Sequence, residues 1–217
     1  MSMPFVIKQT CFVCGKESSV TVMASTNTLG GTPDLDLRPA EMMRSTMPRW
    51  IQECPHCGYI AGSLDKETTV TQKWLKGMHF ISCGDRWFRS DLAEKFYKYY
   101  LICMEDKCVK DAFYAALYTA WVCDDKGDAE NAGHCRRCAL AELEKLLAEP
   151  NPPADLFAVK ADLLRRTGQF DALIAEYEGK RFENDLLNQV IAFQIEKAKQ
   201  QDTRCYRVGD VTGTERR

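Results

Sequence analysis

Two short runs of this sequence have the residue types and spacing of a metal site: Cys11-Phe12-Val13-Cys14-Gly15 and Cys54-Pro55-His56-Cys57-Gly58. In each, a two-residue gap lets both thiols of a pair reach one ion across a tight turn. Glycine follows directly, where a positive φ costs least. Four thiolates from two such turns complete a tetrahedron and leave no open position for a substrate. The chemistry expected of Cys11, Cys14, Cys54 and Cys57 is therefore structural, with one Zn2+ bound. Iron is the alternative ion, because it also accepts a thiolate tetrahedron. A thioredoxin-like redox pair would use a single such motif on a helix after a strand, whereas here two turns match. His56, inside the second turn, is expected to point outward and not to ligate.

Other residues offer less. Cys123, His134, Cys135 and Cys138 lie close together in sequence, and a second metal site is conceivable there. Four ligands from so short a helical stretch converge poorly, and free cysteine otherwise behaves as a small buried hydrophobe. Cys83, Cys103, Cys108 and Cys205 read as packing or surface thiols. No Cys–His pairing stands out as a nucleophile with its base. Asp34 and Asp36 are expected to hold Arg38 or cap a turn, and Asp124 and Asp125 to end one helix and begin another. Arg136-Arg137 and Arg165-Arg166, with Glu142, Glu144 and Asp162 nearby, read as a mixed solvated surface. There is no phosphate-cradling glycine loop and no nucleophile elbow, so no catalytic residue is assigned. Trp50, Trp74, Trp87 and Trp121 read as large apolar anchors, Trp121 in the core and Trp50 packed near the second metal turn.

The elements that must position the four thiols are short strands. Phe5–Ile7 and Ser19–Met23 are β-prone runs on either side of the first turn. Trp50–Gln52 and Ile60 flank the second. Between the turns, residues 25–49 form a long excursion broken by Gly30-Gly31, Pro33, Pro39 and Pro48. Residues 64–87 read as a join, in which Thr68–Trp74 suits a strand or a short helix equally. Helical periodicity begins near Ser90, a good N-cap. Helices are expected over residues 109–123, 129–148, 154–166, 170–178 and 184–200, with Pro150-Asn151-Pro152-Pro153 and Gly168 as breaks. Short connections suggest antiparallel pairs. In ADLLRRTGQFDALIAEYEG, a glycine followed by an aromatic at Phe170 matches the turn of a tetratricopeptide repeat, although Leu173 stands where a small residue is preferred.

The fold class expected is α+β, mostly α: a small N-terminal β zinc ribbon followed by antiparallel helix pairs of tetratricopeptide-like type. The ribbon, its inserted loop and the connector take residues 1–87, the helical domain 88–203, and a flexible tail 204–217. The 217 residues carry 29 basic and 31 acidic side chains, so no global field pulls the chain onto nucleic acid or an anionic membrane. Eleven cysteines, four of them in metal-type spacing, without an export signal or a membrane-spanning run, point to the cytoplasm.

The layout resembles an uncharacterised bacterial family, the domain of unknown function 2225. The resemblance is carried by Cys11-x-x-Cys14-Gly15 and Cys54-Pro55-x-Cys57-Gly58-Tyr59, then by Phe96-Tyr97-x-Tyr99-Tyr100, Ala120-Trp121-Val122 and Asp162-Leu163-Leu164-Arg165-Arg166-Thr167-Gly168. It implies a zinc ribbon with tetratricopeptide-like helices in a bacterial cytoplasm, and no activity. The function expected is non-enzymatic binding, with a protein or peptide partner on the helical domain. Two other classes remain open. One is a nucleic-acid-binding ribbon using Lys16, Arg38, Arg44, Arg49 and Lys66. The other is an enzyme whose site forms between ribbon and helices.

Overall fold

The computed structural model describes residues 3–214. Strand β1 (Met3–Thr10) and strand β2 (Glu17–Ser25) form an antiparallel hairpin that sets Thr10 opposite Glu17 and Phe5 opposite Val22. The first metal turn is its tip. Strands β3 (Gln52–Glu53) and β4 (Ile60–Ala61) form a second, shorter hairpin around the second turn. Side chains join the two hairpins. Gln9 donates to Ser63 Oγ and accepts from the Leu64 amide, and Gln52 Nε2 donates to the Thr21 carbonyl over 3.1 Å.

The excursion between the hairpins is irregular apart from helix α1 (Glu41–Arg44) and a 3-10 turn at Met47–Arg49. In the join, the undecided stretch ends in helix α2 (Gln72–Leu75), capped by the Thr71 hydroxyl, and helix α3 (Met78–Ile81) follows.

Six longer helices make up the rest: α4 (Asp91–Glu105), α5 (Val109–Asp125), α6 (Ala129–Leu147), α7 (Asp155–Arg166), α8 (Phe170–Tyr177) and α9 (Asp185–Lys199). The class is α+β, mostly α, as the sequence implies. α5 is the centre of this stack, against α4 on one side and α6 on the other. Its buried Ala112, Ala115, Ala116 and Ala120 allow close approach of its neighbours, while Phe113, Leu117 and Trp121 fill the space between. α7, α8 and α9 pack on one another beyond α6. At the α7–α8 turn Gly168 takes φ 77°, and Leu173 is wholly buried one turn into α8. Ser90 does stand at the N-cap of α4, but its side chain makes no capping bond. Strand β4 rests on α4, which brings ribbon and helices together. Among the described residues, no helix is long and apolar enough to cross a membrane.

The segment after α9, expected as a flexible tail over residues 204–217, is bonded to the excursion as far as Gly209, whose amide donates to Thr32 Oγ1. The Leu35 amide donates to the Tyr206 carbonyl and the Val208 amide to the Pro33 carbonyl, both over 2.9 Å. A short helix α10 (Val208–Thr212) follows. The cause is Arg165, which is fully buried. Its Nη1 donates to the carbonyls of Asp202 and Arg204 at 2.7 and 2.8 Å, its Nη2 to Asp162 and its Nε to Gln194. One side chain thus fastens the end of α9 and the residues after it to α7. Residues 215–217 lie outside the described part.

Candidate metal centre and the buried polar network

Each metal turn is built by the same local bonds. In the first, the Gly15 amide donates to the Cys11 carbonyl and the Cys11 amide to the Lys16 carbonyl. In the second, the Gly58 amide donates to the Cys54 carbonyl and the Cys54 amide to the Tyr59 carbonyl. Both glycines have positive φ, 68° and 77°, as the sequence pattern requires. Tyr59 is buried beneath the second turn, its hydroxyl donating to the Lys66 carbonyl. The Phe12 amide donates to the Leu64 carbonyl over 2.8 Å, which locks the first turn against the second hairpin.

The four sulfurs converge. Cys11 Sγ lies 3.6 Å from Cys57 Sγ, Cys14 Sγ lies 3.6 Å from Cys54 Sγ, and all four fall within 4.8 Å of one another. Four thiolates each about 2.3 Å from a tetrahedral ion stand about 3.8 Å apart, so the arrangement fits one metal ion. Cys11 and Cys54 are buried, while Cys14 and Cys57 are partly exposed. Burial raises the Cys11 and Cys57 thiols above the usual range, and nearby backbone amides oppose it. A bound cation would reverse that balance by displacing the protons. His56 is exposed and outside the cluster.

Among the described residues this is the only place where three or more Cys, His, Asp or Glu ligand atoms gather. Cys123, His134, Cys135 and Cys138 form no such group. A shorter-range relationship in that stretch has no counterpart in the sequence reading: Cys138 Sγ lies 3.4 Å from His134 Nε2, with the Tyr97 hydroxyl 3.2 Å from the same nitrogen. The i, i+4 spacing on α6 is the signal that would have revealed it. Burial, with Arg86 and Arg137, keeps the imidazole below its ordinary pKa, and burial raises the Cys138 thiol. A protonated thiol beside a neutral imidazole is the opposite of an activated nucleophile.

The excursion carries the polar centre of the molecule. Asp36 is buried, accepts from the Trp121 indole at 2.7 Å and pairs with Arg166 at 3.3 Å. Arg166 continues to Asp124 at 2.9 Å, and Asp124 also takes both Nη atoms of Arg136. Arg38 reaches Asp125, and Arg44 reaches Asp34 at 2.9 Å. Asp36 therefore does two things: its Oδ1 accepts from the Arg38 amide at 3.3 Å, the local turn cap that the sequence suggests, and its Oδ2 holds Trp121 and Arg166, which the sequence does not reveal. Arg136, Glu142, Asp162 and Arg165 were expected on a mixed solvated surface. All four are buried, each neutralised by a partner within the fold.

The residues named for phosphate contact are largely engaged. Arg38, Arg44 and Lys66 are ion-paired to Asp125, Asp34 and Asp111. Between ribbon and helices lies a crevice of ≈ 330 Å³ lined by Glu53, Ile60, Asp91, Glu94, Lys95 and Lys98. Lys95 is paired with Glu53 at 3.0 Å and Lys98 with Glu94 at 2.6 Å. Trp121 is core, as expected. Trp50 packs edge-on to Tyr118 at 5.0 Å, and Trp87 is 76% exposed instead of an anchor. Comparison of the chain with protein-family models, curated proteins and solved structures gives no match.

Proposed function

We propose that this is a non-enzymatic binding or adaptor protein in which one structural zinc ion, held by Cys11, Cys14, Cys54 and Cys57, fixes a ribbon beside a helical interaction domain. The observation that carries this reading is the convergence of four thiols with no fifth ligand among the described residues. Four thiolates close the coordination sphere, so the ion stabilises and does not react. Zinc suits such a set because it brings no redox chemistry, and a ribbon this small buries too little apolar surface to fold without help. The same proposal includes membership of the family of domain of unknown function 2225 and a cytoplasmic location.

The partner on this reading is a protein or peptide. Where the excursion and the C-terminal segment meet the helices lies a small, mainly apolar groove lined by Leu35, Leu37, Ala158, Leu187, Val190 and Val208, with Asp34 and Asp155 also in its wall and Leu186 half out in solvent at its edge. Such a groove takes an apolar side chain of a bound segment. The test is a screen of an arrayed peptide library against the zinc-loaded chain, repeated with Leu186→Asp. Peptides bound by the parent and lost by the variant, with zinc retained, support the reading. Peptide binding indifferent to the substitution, or none, counts against it.

A further inference from the structure

A third hollow, of ≈ 340 Å³, opens between the excursion and α5, and neither the metal nor the ion-pair network uses it. Trp50, Tyr114, Tyr118 and Trp121 form one wall, and Leu37 and Met43 face them. The volume lies in the range of small-molecule sites and is far too small for a helix about 10 Å across.

The chemistry of the walls narrows the occupant. Asp, Glu, Lys, Arg and His contribute nothing to the lining. Both indole N–H groups are spent inside the protein, Trp50 on Thr46 Oγ1 at 2.9 Å and Trp121 on Asp36. The rings also brace one another: Tyr118 meets Trp50, Trp121, Phe96 and Tyr114 at centroid distances of 5.0, 5.1, 5.5 and 5.9 Å. A cation entering here would exchange its water for ring faces worth about 0.5–2 kcal/mol, short of the several kcal/mol its desolvation costs, and an anion would find no cationic side chain. What stays available is hydrocarbon, the aromatic rings and the hydroxyls of Tyr114, Tyr118 and Thr28. Neither tyrosine hydroxyl hydrogen-bonds to another described residue, and neither is a fully buried atom, so both are open to an occupant of the cavity.

We propose that this cavity is a binding site for a neutral, predominantly apolar small molecule, with Tyr114 and Tyr118 as its polar handles and the aromatic wall as its bed. The site does not rest on the partner-binding reading, and Leu37 is the one residue that it shares with the peptide groove. Its leading edge is the excursion, so an occupant would brace Leu37 and Met43 against α5.

The test titrates the zinc-loaded chain with neutral N-phenyl-1-naphthylamine, with its anionic relative 8-anilinonaphthalene-1-sulfonate, and with phenyltrimethylammonium as a cation. The expected result is saturable binding of the neutral probe at one site per chain, with both charged compounds at least about tenfold weaker. Met43→Trp, which fills the cavity, should weaken the neutral probe by at least about tenfold. Ala40→Phe fills it from the neighbouring position and serves if the first variant does not fold. In the parent protein, NMR cross-relaxation between probe protons and ring-labelled tyrosines reads the site without any substitution. Absence of saturable binding, affinity unchanged by the filling variants, cross-relaxation absent from the tyrosines, or preference for a charged compound would each overturn the assignment.

Discussion

The indole N–H of Trp121 donates to the carboxylate of Asp36 across 2.7 Å, joining the middle of the central helix to the excursion between the two metal turns. Asp36 is the point where ribbon-side and helix-side chains meet, because Arg166 of α7 pairs with the same carboxylate oxygen. Leu37, the next residue, takes φ 68°, a left-handed backbone that leucine adopts at a cost on the order of 1–2 kcal/mol. The surrounding ion pairs hold the turn in that form.

Asp36 gives a pH prediction with a definite sign. Burial first, then the neighbouring Asp162, raise its carboxyl to about 6, against the lowering influence of Arg166 and Arg136 and the further raising by Asp34. A folded-state value above the unfolded one means that the native state binds the extra proton between about pH 4 and pH 6. This group's contribution to stability therefore falls as pH rises through that window. Asp36→Asn keeps an acceptor for Trp121 and removes the titration. The stability of the parent relative to the variant should rise by about 2 kcal/mol from pH 6 to pH 4, measured by urea unfolding of both proteins. A difference that does not change with pH contradicts the assignment. Thiol protonation is common to both proteins and cancels.

Arg165 is predicted to carry the whole C-terminal segment. Arg165→Met leaves Asp162 buried without its cation and frees the carbonyls of Asp202 and Arg204. The expected loss is about 3–5 kcal/mol in urea unfolding, since one partner of a buried pair has gone. Amide exchange over residues 203–212 should accelerate in the native state, while α5 stays protected. Unchanged exchange there would show that the backbone bonds to Pro33 and Leu35 suffice alone.

How far the sequence reveals all this depends on the range of the interaction. The helices over residues 91–199 are legible because each is bounded by a local signal, such as Gly127, Pro150 to Pro153, or Gly168, and each carries an apolar stripe. The metal turns are legible because cysteine and glycine at fixed spacing have a single geometric solution. The polar network is not. Asp36 and Arg166 are 130 positions apart, and nothing local distinguishes a buried arginine from a solvated one. The ordering of residues 202–209 is illegible for the same reason. Its anchors are carbonyls bound by Arg165, and carbonyls leave no mark in a sequence. Trp87 errs in the other direction, as a tryptophan that packs on nothing large.

The internal pairing of Arg38, Arg44 and Lys66 leads to a prediction about nucleic acid. The side chains of Arg38 and Arg44 are largely buried and all three cations already hold a carboxylate, so they are poor phosphate ligands. Fluorescence anisotropy with single-stranded DNA and RNA at about 0.15 M salt should show no saturable binding. Saturable binding that weakens steeply with salt would contradict this and return the ribbon to the nucleic-acid class.

The central claim is that one zinc ion is held by four thiolates, and elemental analysis of protein purified without added metal tests it most directly. The account predicts one zinc per chain, lost on changing Cys11, Cys14, Cys54 or Cys57 to serine and retained on changing Cys123, Cys135 or Cys138. In Cys54→Ser, amide exchange should speed up through residues 3–62 while α5 and α6 keep their protection. Two zinc ions per chain, a different metal, or protein that folds fully with none would contradict the account.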